Sequence, residues 1–122
     1  MKKYTVPGLV FLAIFGFTIS VAQVELPKSL KDVLPLYPKA KVLTAMETSD
    51  GSHAVLEASG SSKEIASFYK KAMESKGWNL EMEMHQERTS MVNFKKAKQV
   101  LSIMADATDK AKTNIIVTLA KK

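Results

Sequence analysis

The chain has 122 residues, a formal net charge of +6 and no cysteine. The lack of cysteine excludes a disulfide framework, a thiolate metal site and a lipid-bearing cysteine. The length is that of one domain, whose hydrophobic core needs no covalent cross-links.

The first residues have the tripartite pattern of a secretory signal peptide. Two lysines precede an uncharged, mostly apolar run at residues 9–19, and small residues lead to a cleavage site after Ala22. We therefore predict a signal peptide at residues 1–22 and an exported protein, periplasmic or extracellular, which meets the membrane only during export. An uncleaved anchor is the alternative, because residues 4–24 are nominally long enough to span a bilayer.

Cleavage after Ala22 leaves 122 − 22 = 100 residues. All 12 acidic residues and 16 of the 18 basic ones follow that position, so the exported chain carries a charge of 16 − 12 = +4. A mild positive charge favours solubility and weak attraction to anions, and does not identify a partner. Nucleic acid is not expected in an exported compartment.

Residues 23–40 form a lead-in that contains three prolines, and residues 41–122 are predicted to form an α+β domain. A helix is predicted at residues 61–77. Period-two and β-branched patterns predict strands at residues 41–49, 53–58, 78–85, 90–95, 99–105 and 113–120. The order β-β-α-β-β-β-β, with short turns, predicts an antiparallel β-sheet with one amphipathic helix packed on one face.

The helix is the best-defined segment of the chain. Ser61 and Glu64 fit a capping box at its start, and Gly77 predicts its end. One apolar stripe with helical spacing is formed by Ile65, Phe68, Tyr69, Ala72 and Met73.

The strand after the helix alternates between apolar and polar residues. Its apolar set is predicted to face the helix, and comprises Trp78, Leu80, Met82 and Met84. Its polar set is predicted to face water, and comprises Asn79, Glu81, Glu83 and His85.

No motif in the sequence predicts catalysis. The chain has two histidines and no cysteine, and it lacks the phosphate-binding, dinucleotide-binding, zinc-protease and serine-hydrolase patterns. We therefore expect neither an enzyme nor a cofactor.

A soft-metal site is the sharpest alternative. Met82, Met84 and His85 combine thioether and imidazole groups, which suit Cu(I) or Ag(I), and this stretch is similar to small periplasmic copper and silver chaperones. The strand period argues against the site, because it places the two methionines in the core and His85 on the opposite face.

The lysines leave a third possibility open. Lysines in turns and on edge strands usually prevent edge-to-edge pairing, but they could also bind an anionic membrane surface. The lysines concerned are Lys70, Lys71, Lys95, Lys96, Lys98, Lys110, Lys112, Lys121 and Lys122.

Three short motifs carry a resemblance to a known type of domain. They are Tyr37-Pro38-x-Ala40-Lys41-Val42, Phe68-Tyr69-Lys70-Lys71 and Lys76-Gly77-Trp78. From about Pro35 to its end, the chain resembles a recurrent small domain of exported bacterial proteins and lipoproteins, with Lys39 where glycine is usual. The resemblance implies an α+β fold of sheet and helix, and no particular activity.

The sequence as a whole predicts an exported, monomeric, non-catalytic binding module, with another envelope protein as the expected partner. An exposed strand edge could accept a partner strand. The alternative surface is a groove between the lead-in and the sheet, rimmed by Tyr37 and Tyr69.

Overall fold

A computed structural model describes residues 24–108 and 111–121. The predicted signal peptide at residues 1–22 lies outside the described residues. The elements are α1 (Lys28–Lys31), β1 (Lys41–Thr48), β2 (Gly51–Ala58), α2 (Ser62–Ser75), β3 (Asn79–His85), β4 (Thr89–Lys96), β5 (Gln99–Ala107) and β6 (Thr113–Lys121). The predicted α+β class and the order of the main elements are confirmed, and α1 is a short addition within the lead-in.

All six strands form one antiparallel sheet in the order β1-β2-β6-β5-β4-β3. β1 and β3 are therefore its two edges. Within the described residues, no helix has the length and apolar character needed to cross a bilayer.

The hydrophobic core lies on one side of the sheet, which we call the inner face. The strand residues buried there include Ala54, Leu56, Val92, Phe94, Leu101, Ile103, Ile115, Val117 and Leu119. Helix α2 packs against β3, β4 and β5. The lead-in covers the half of the inner face near β1 and β2. Its residues Leu26, Leu30 and Leu34 belong to the same core, and the Ser29 hydroxyl forms hydrogen bonds with side chains of β1 and β2. We call the opposite side, which neither helix covers, the outer face.

Helix α2 begins with the predicted capping box. The Ser61 hydroxyl accepts a hydrogen bond from the Glu64 backbone N–H, and the Glu64 carboxylate accepts one from the Ser61 N–H, each at 3.1 Å. The hydrogen bond from the Ser61 backbone N–H to the carboxylate, and after it the interaction with the Ser61 side chain, lower the pKa of Glu64. Of the predicted stripe, Ile65, Tyr69 and Met73 are fully buried, while the two other members are half-buried.

The helix ends in a Schellman motif. Gly77 has φ +88°, and its N–H donates to the Glu74 carbonyl at 3.1 Å. The Trp78 N–H donates to the Met73 carbonyl at 3.0 Å. Because a left-handed backbone is unfavourable for residues with a Cβ atom, Gly77 sets the point at which the chain turns from helix into β3.

The predicted facing of β3 is right at its start and wrong beyond Leu80. Leu80 pairs with Phe94 and Met82 pairs with Asn93, so Glu81 is an extra residue that forms a β-bulge. A slip of one residue transfers every later side chain to the other face. Met82 and Met84 therefore lie on the outer face, 42% and 38% exposed.

The same bulge brings Glu83 and His85 to the inner face. Glu83 pairs with the buried Val92, and His85 with the buried Ser90. Both side chains remain exposed to solvent at this sheet edge, as predicted. What differs from the prediction is the side of the sheet, because the shift in register places them on the same side as the helix.

The turn between β1 and β2 lies one residue earlier than an Asp-Gly hairpin would place it. Ser49 and Asp50 form the turn, and Gly51 already pairs with Thr48. A Cβ atom on Gly51 would lie 2.0 Å from the Leu119 carbonyl oxygen. Glycine is therefore required here for the close approach of β6.

The lead-in joins β1 through a tight turn at the Tyr37-Pro38 motif. The Ala40 N–H donates to the Tyr37 carbonyl at 3.0 Å, and Lys39 has φ +63°. Proline at the second position and a positive φ at the third are the features of a type II turn, in which the third position favours glycine. This geometry explains why glycine is usual in the resembling domains where this chain has Lys39.

Candidate functional site

A concave, mainly apolar surface lies between the lead-in and the start of β1. We call this surface the lead-in cleft. It has a volume of about 640 Å³, within the range of sites for small organic ligands. Its apolar lining consists of Val24, Leu26, Leu34, Leu36, Ala40 and Val42.

Three charged residues complete the lining of the cleft: Glu25, Lys31 and Lys41. Lys31 and Glu25 form a solvent-exposed ion pair at 3.4 Å. Lys41 stands at the first position of the edge strand and forms no ion pair with any described residue. The lining therefore combines apolar walls with one net positive charge.

The local structure explains why a cleft remains under the lead-in. Helix α1 has only four residues, and its N-cap, Pro27, provides no side-chain cap. So short a helix cannot present a continuous apolar stripe to the sheet. Val24 and Leu36, which line the cleft, are 38% and 48% exposed. A ligand that covered them would remove apolar surface from water, which is favourable.

The two tyrosines predicted to rim the groove lie beside the lead-in cleft and do not line it. Tyr69 is completely buried, and its hydroxyl accepts a hydrogen bond from the Tyr37 N–H at 3.1 Å. Burial raises the pKa of Tyr69 from 10.0 to about 12. The half-buried Tyr37 lines a separate shallow hollow against α2, and its ring meets Phe68 edge to face, with centroids 5.1 Å apart. Tyr69 thus joins the lead-in to α2.

The candidate soft-metal ligands Met82, Met84 and His85 do not converge. The two methionines lie on the outer face and His85 lies on the inner face. Within the described part of the chain, no three histidine, cysteine or acidic side chains are grouped as metal ligands.

A chain of polar side chains connects β3 and β4 at the N-terminal end of α2. The Ser90 hydroxyl lies 2.8 Å from His85 Nδ1, and His85 Nε2 lies 2.8 Å from Glu83 Oε2. Glu83 also accepts a hydrogen bond from Lys70 at 3.1 Å. The bond from His85, and then that from Lys70, lower the pKa of Glu83.

This constellation has the connectivity of a serine–histidine–carboxylate triad. The Ser90 side chain is only 1% exposed, and its hydroxyl faces Ser62 of α2 at 3.4 Å. A substrate carbonyl cannot reach a hydroxyl that is packed in this way. We therefore interpret the chain of bonds as polar packing at the margin of the core.

The sequence predicted a groove along the lead-in but not the residues that line it, and it did not predict the polar chain. Histidine and glutamate at i and i+2 on one strand always share a face, so the pair of Glu83 and His85 was visible in the sequence. The partner hydroxyl of Ser90 was not, because the bulge at Glu81 sets the pairing. The cleft depends on how the lead-in packs, and no local pattern encodes this.

Several of the lysines proposed for a membrane surface have local partners. Lys70 pairs with Glu83, and Lys112 lies 3.9 Å from Glu57. Lys96 donates to the Lys76 carbonyl at 2.9 Å. These three lysines are therefore held by local contacts.

Comparison with known proteins gives one family. Searches of curated proteins and of solved structures find no match. The family model described as START domain-like matches residues 38–113, which include β1 to β5 and α2. Because this match covers more than half of the sequence, the chain belongs to the START domain-like family.

Proposed function

We propose that the protein is a non-catalytic binding protein that holds an amphipathic anion in the lead-in cleft. The observation that carries the proposal is the lining of the cleft, which joins six apolar residues to Lys41, a cation without an ion-pair partner among the described residues. An apolar tail along Val24 and Leu36 with an acidic head near Lys41 would satisfy both features.

The family supports this class of function, since START domain-like membership indicates a small ligand- or protein-binding module. Protein binding through a strand edge is less favoured. Each edge strand carries a bulge, at Leu43 in β1 and at Glu81 in β3. Bulges on edge strands hinder the addition of a further strand. The cleft is therefore the better candidate for the binding surface.

The proposal includes export and the lack of an enzymatic activity. Export is supported by the signal-peptide pattern at residues 1–22. A non-catalytic role is supported by the burial of Ser90, which belongs to the one hydrogen-bonded array with the connectivity of a catalytic triad in the described chain. An exported binder of amphiphiles would meet its ligands in the cell envelope.

The experiment is a titration of the isotope-labelled chain with dodecanoate below its micellar concentration, followed by NMR. We expect the backbone amides of Ala40 and Val42 to shift most. Leu36→Asp should weaken binding because it introduces a negative charge into the apolar wall, whereas Leu43→Asp should not. Leu43 is a matched control, since it is 45% exposed on β1 and does not line the cleft.

Two further comparisons separate the parts of the proposal. Lys41→Gln should weaken binding of dodecanoate more than binding of the neutral dodecanol, because only the carboxylate needs the ammonium group. A chain that begins at Gln23 retains every described element, and should bind at least as well as the full chain. Equal effects of Leu36→Asp and Leu43→Asp, or no shifts at the cleft, would overturn the proposal.

A further inference from the structure

The outer face is unusually rich in methionine. Of the six methionines in the described residues, only Met73 is in the core. The other five lie on the outer face: Met46, Met82, Met84, Met91 and Met104. Methionine is more commonly used as an adaptable filler of cores, so its concentration on the uncovered face calls for a reason.

Four of these methionines lie together on three neighbouring strands. Met84 pairs directly with Met91, and Met91 pairs directly with Met104. Direct cross-strand pairs have Cβ atoms about 5 Å apart, and diagonal neighbours such as Met82 and Met91 about 7–8 Å. Because each methionine side chain has three rotatable bonds, the thioethers of Met84 and Met104 can converge on a point above Met91.

The surroundings of this methionine cluster are mostly neutral. Asn93 and Ser102 lie on the outer face next to the paired Met91 and Met104, and they pair with each other. Two acids lie near the cluster. Glu81 is the bulge residue next to Met82, and the Asp106 carboxylate accepts a hydrogen bond from Thr89 at 2.9 Å. Hard cations prefer several oxygen ligands, whereas soft thioethers select Cu(I) and similar ions. The ligand set therefore favours a soft monovalent ion.

One polar atom at the cluster lacks a partner. Asn93, directly opposite Met82, has a buried side-chain oxygen that forms no hydrogen bond with any described residue. An unsatisfied buried acceptor is destabilising, and a bound cation nearby would relieve it. This observation is independent of the methionine count and lies at the same place on the sheet.

We propose that the outer face binds one Cu(I) or Ag(I) ion through Met84, Met91 and Met104, with Met82 as a fourth neighbour. The site differs from the trio suggested by the sequence. His85 takes no part, because it lies on the inner face and is bonded to Ser90 and Glu83. Met91 and Met104 replace it, since the strand register brings them beside Met84.

The test uses the full chain, with methionine methyl groups labelled, titrated with Ag(I) in chloride-free buffer and with Cu(I) under anaerobic reducing conditions. We expect the methyl signals of Met84, Met91 and Met104 to move until one equivalent has been added. Met46 and Met73 should not move. Competition with a chromophoric Cu(I) chelator would give the affinity.

The decisive variant is Met91→Leu, which removes the central sulfur and keeps a similar apolar volume. Affinity should fall by about 10- to 100-fold or more, by analogy with the loss when groups that support a metal site are removed. Met46→Leu, on the same face but on the far edge strand, should bind as the unaltered chain does. Thermal melts would show that both variants are folded.

Two results would overturn the proposal. The first is a Met91→Leu variant that binds Ag(I) as tightly as the Met46→Leu variant. The second is the absence of any methionine methyl shift at one equivalent. The second result would leave the cluster as an apolar surface only, and neither result bears on the lead-in cleft, which lies on the inner side of the sheet.

Discussion

Two segments pack on the inner face of the sheet, helix α2 and the lead-in, and we call them the two covers. They differ in how regular their backbone structure is. Helix α2 has a reciprocal cap at its start, a buried stripe and a Schellman motif at its end. The lead-in has one four-residue helix without a side-chain cap and a turn with a lysine in the left-handed conformation. Helix α2 buries its apolar stripe, and the hollows beside it are lined largely by polar and charged residues. The lead-in leaves a mainly apolar cleft of about 640 Å³.

This difference indicates where function can reside. A helix with a continuous apolar stripe satisfies both its backbone and the sheet beneath it, so little surface remains for a ligand. A lead-in interrupted by proline cannot do so. Its exposed apolar residues, Val24 and Leu36, therefore remain available. The following predictions are ordered from the largest expected effect to the smallest.

Tyr69→Ala should break both covers at once. The residue is fully buried in α2 and accepts the hydrogen bond from the Tyr37 N–H of the lead-in. We expect a loss of about 3–5 kcal/mol in the free energy of unfolding, as for other large aromatic side chains replaced by alanine. Urea denaturation would measure it. A loss no larger than that of Tyr69→Phe, which removes only the hydroxyl, would contradict the assignment.

Leu30→Ala should loosen only the lead-in. Leu30 is the fully buried residue of α1, and its truncation should cost about 2–5 kcal/mol. Hydrogen exchange should then accelerate more in the lead-in than in α2. Leu36→Ala is the control, because an exposed side chain of the same kind should change stability by about 0.5 kcal/mol or less. Equal acceleration in both covers would show that they unfold as one unit.

Alkaline pH should weaken the junction between the covers. Burial in the folded state raises the pKa of Tyr69 from its ordinary value of 10.0 to about 12. The stability from this difference is therefore complete below pH 10 and is lost as the pH rises through 12, by roughly 2–3 kcal/mol. Melting temperatures from pH 9 to 12 should fall more steeply for the unaltered chain than for Tyr69→Phe. Parallel slopes would argue against a buried phenol.

Lys39→Gly should strengthen the weaker cover slightly. Lys39 has φ +63° in a turn that favours glycine. Relief of about 1–2 kcal/mol of left-handed strain, reduced by the greater entropy of unfolded glycine, leaves a gain of up to about 1 kcal/mol. Ala97→Gly, at φ +53° in the turn between β4 and β5, tests the same effect away from the lead-in. A loss of stability in Lys39→Gly would contradict the turn assignment.

The helix and strands were predictable wherever the local sequence pattern alone specifies the structure. Ser61, Glu64 and Gly77 specify the ends of α2 through contacts within a few residues. The six strands followed from period-two patterns in the same way. The facing of β3 was not predictable beyond Leu80, because an edge strand can gain a residue without breaking its alternation in the sequence.

The candidate sites were less predictable than the fold. The groove was expected at Tyr37 and Tyr69, and a cleft does lie along the lead-in, but its lining comes from Leu36, Ala40 and Val42. The short run of apolar residues between prolines indicates that the lead-in is partly buried. It does not indicate against which part of the sheet the lead-in packs.

The sequence by itself determined the fold class, the capped helix and the order of the elements, because each rests on interactions between neighbours along the chain. Only the tertiary structure decided which residues of β3 face outward. The bulge at Glu81 assigns Met82 and Met84 to the outer face and Glu83 to the inner face. The physical reason is that strand register is set by the hydrogen-bonded pairing of β3 with β4, and the alternation within β3 alone does not show where that pairing shifts.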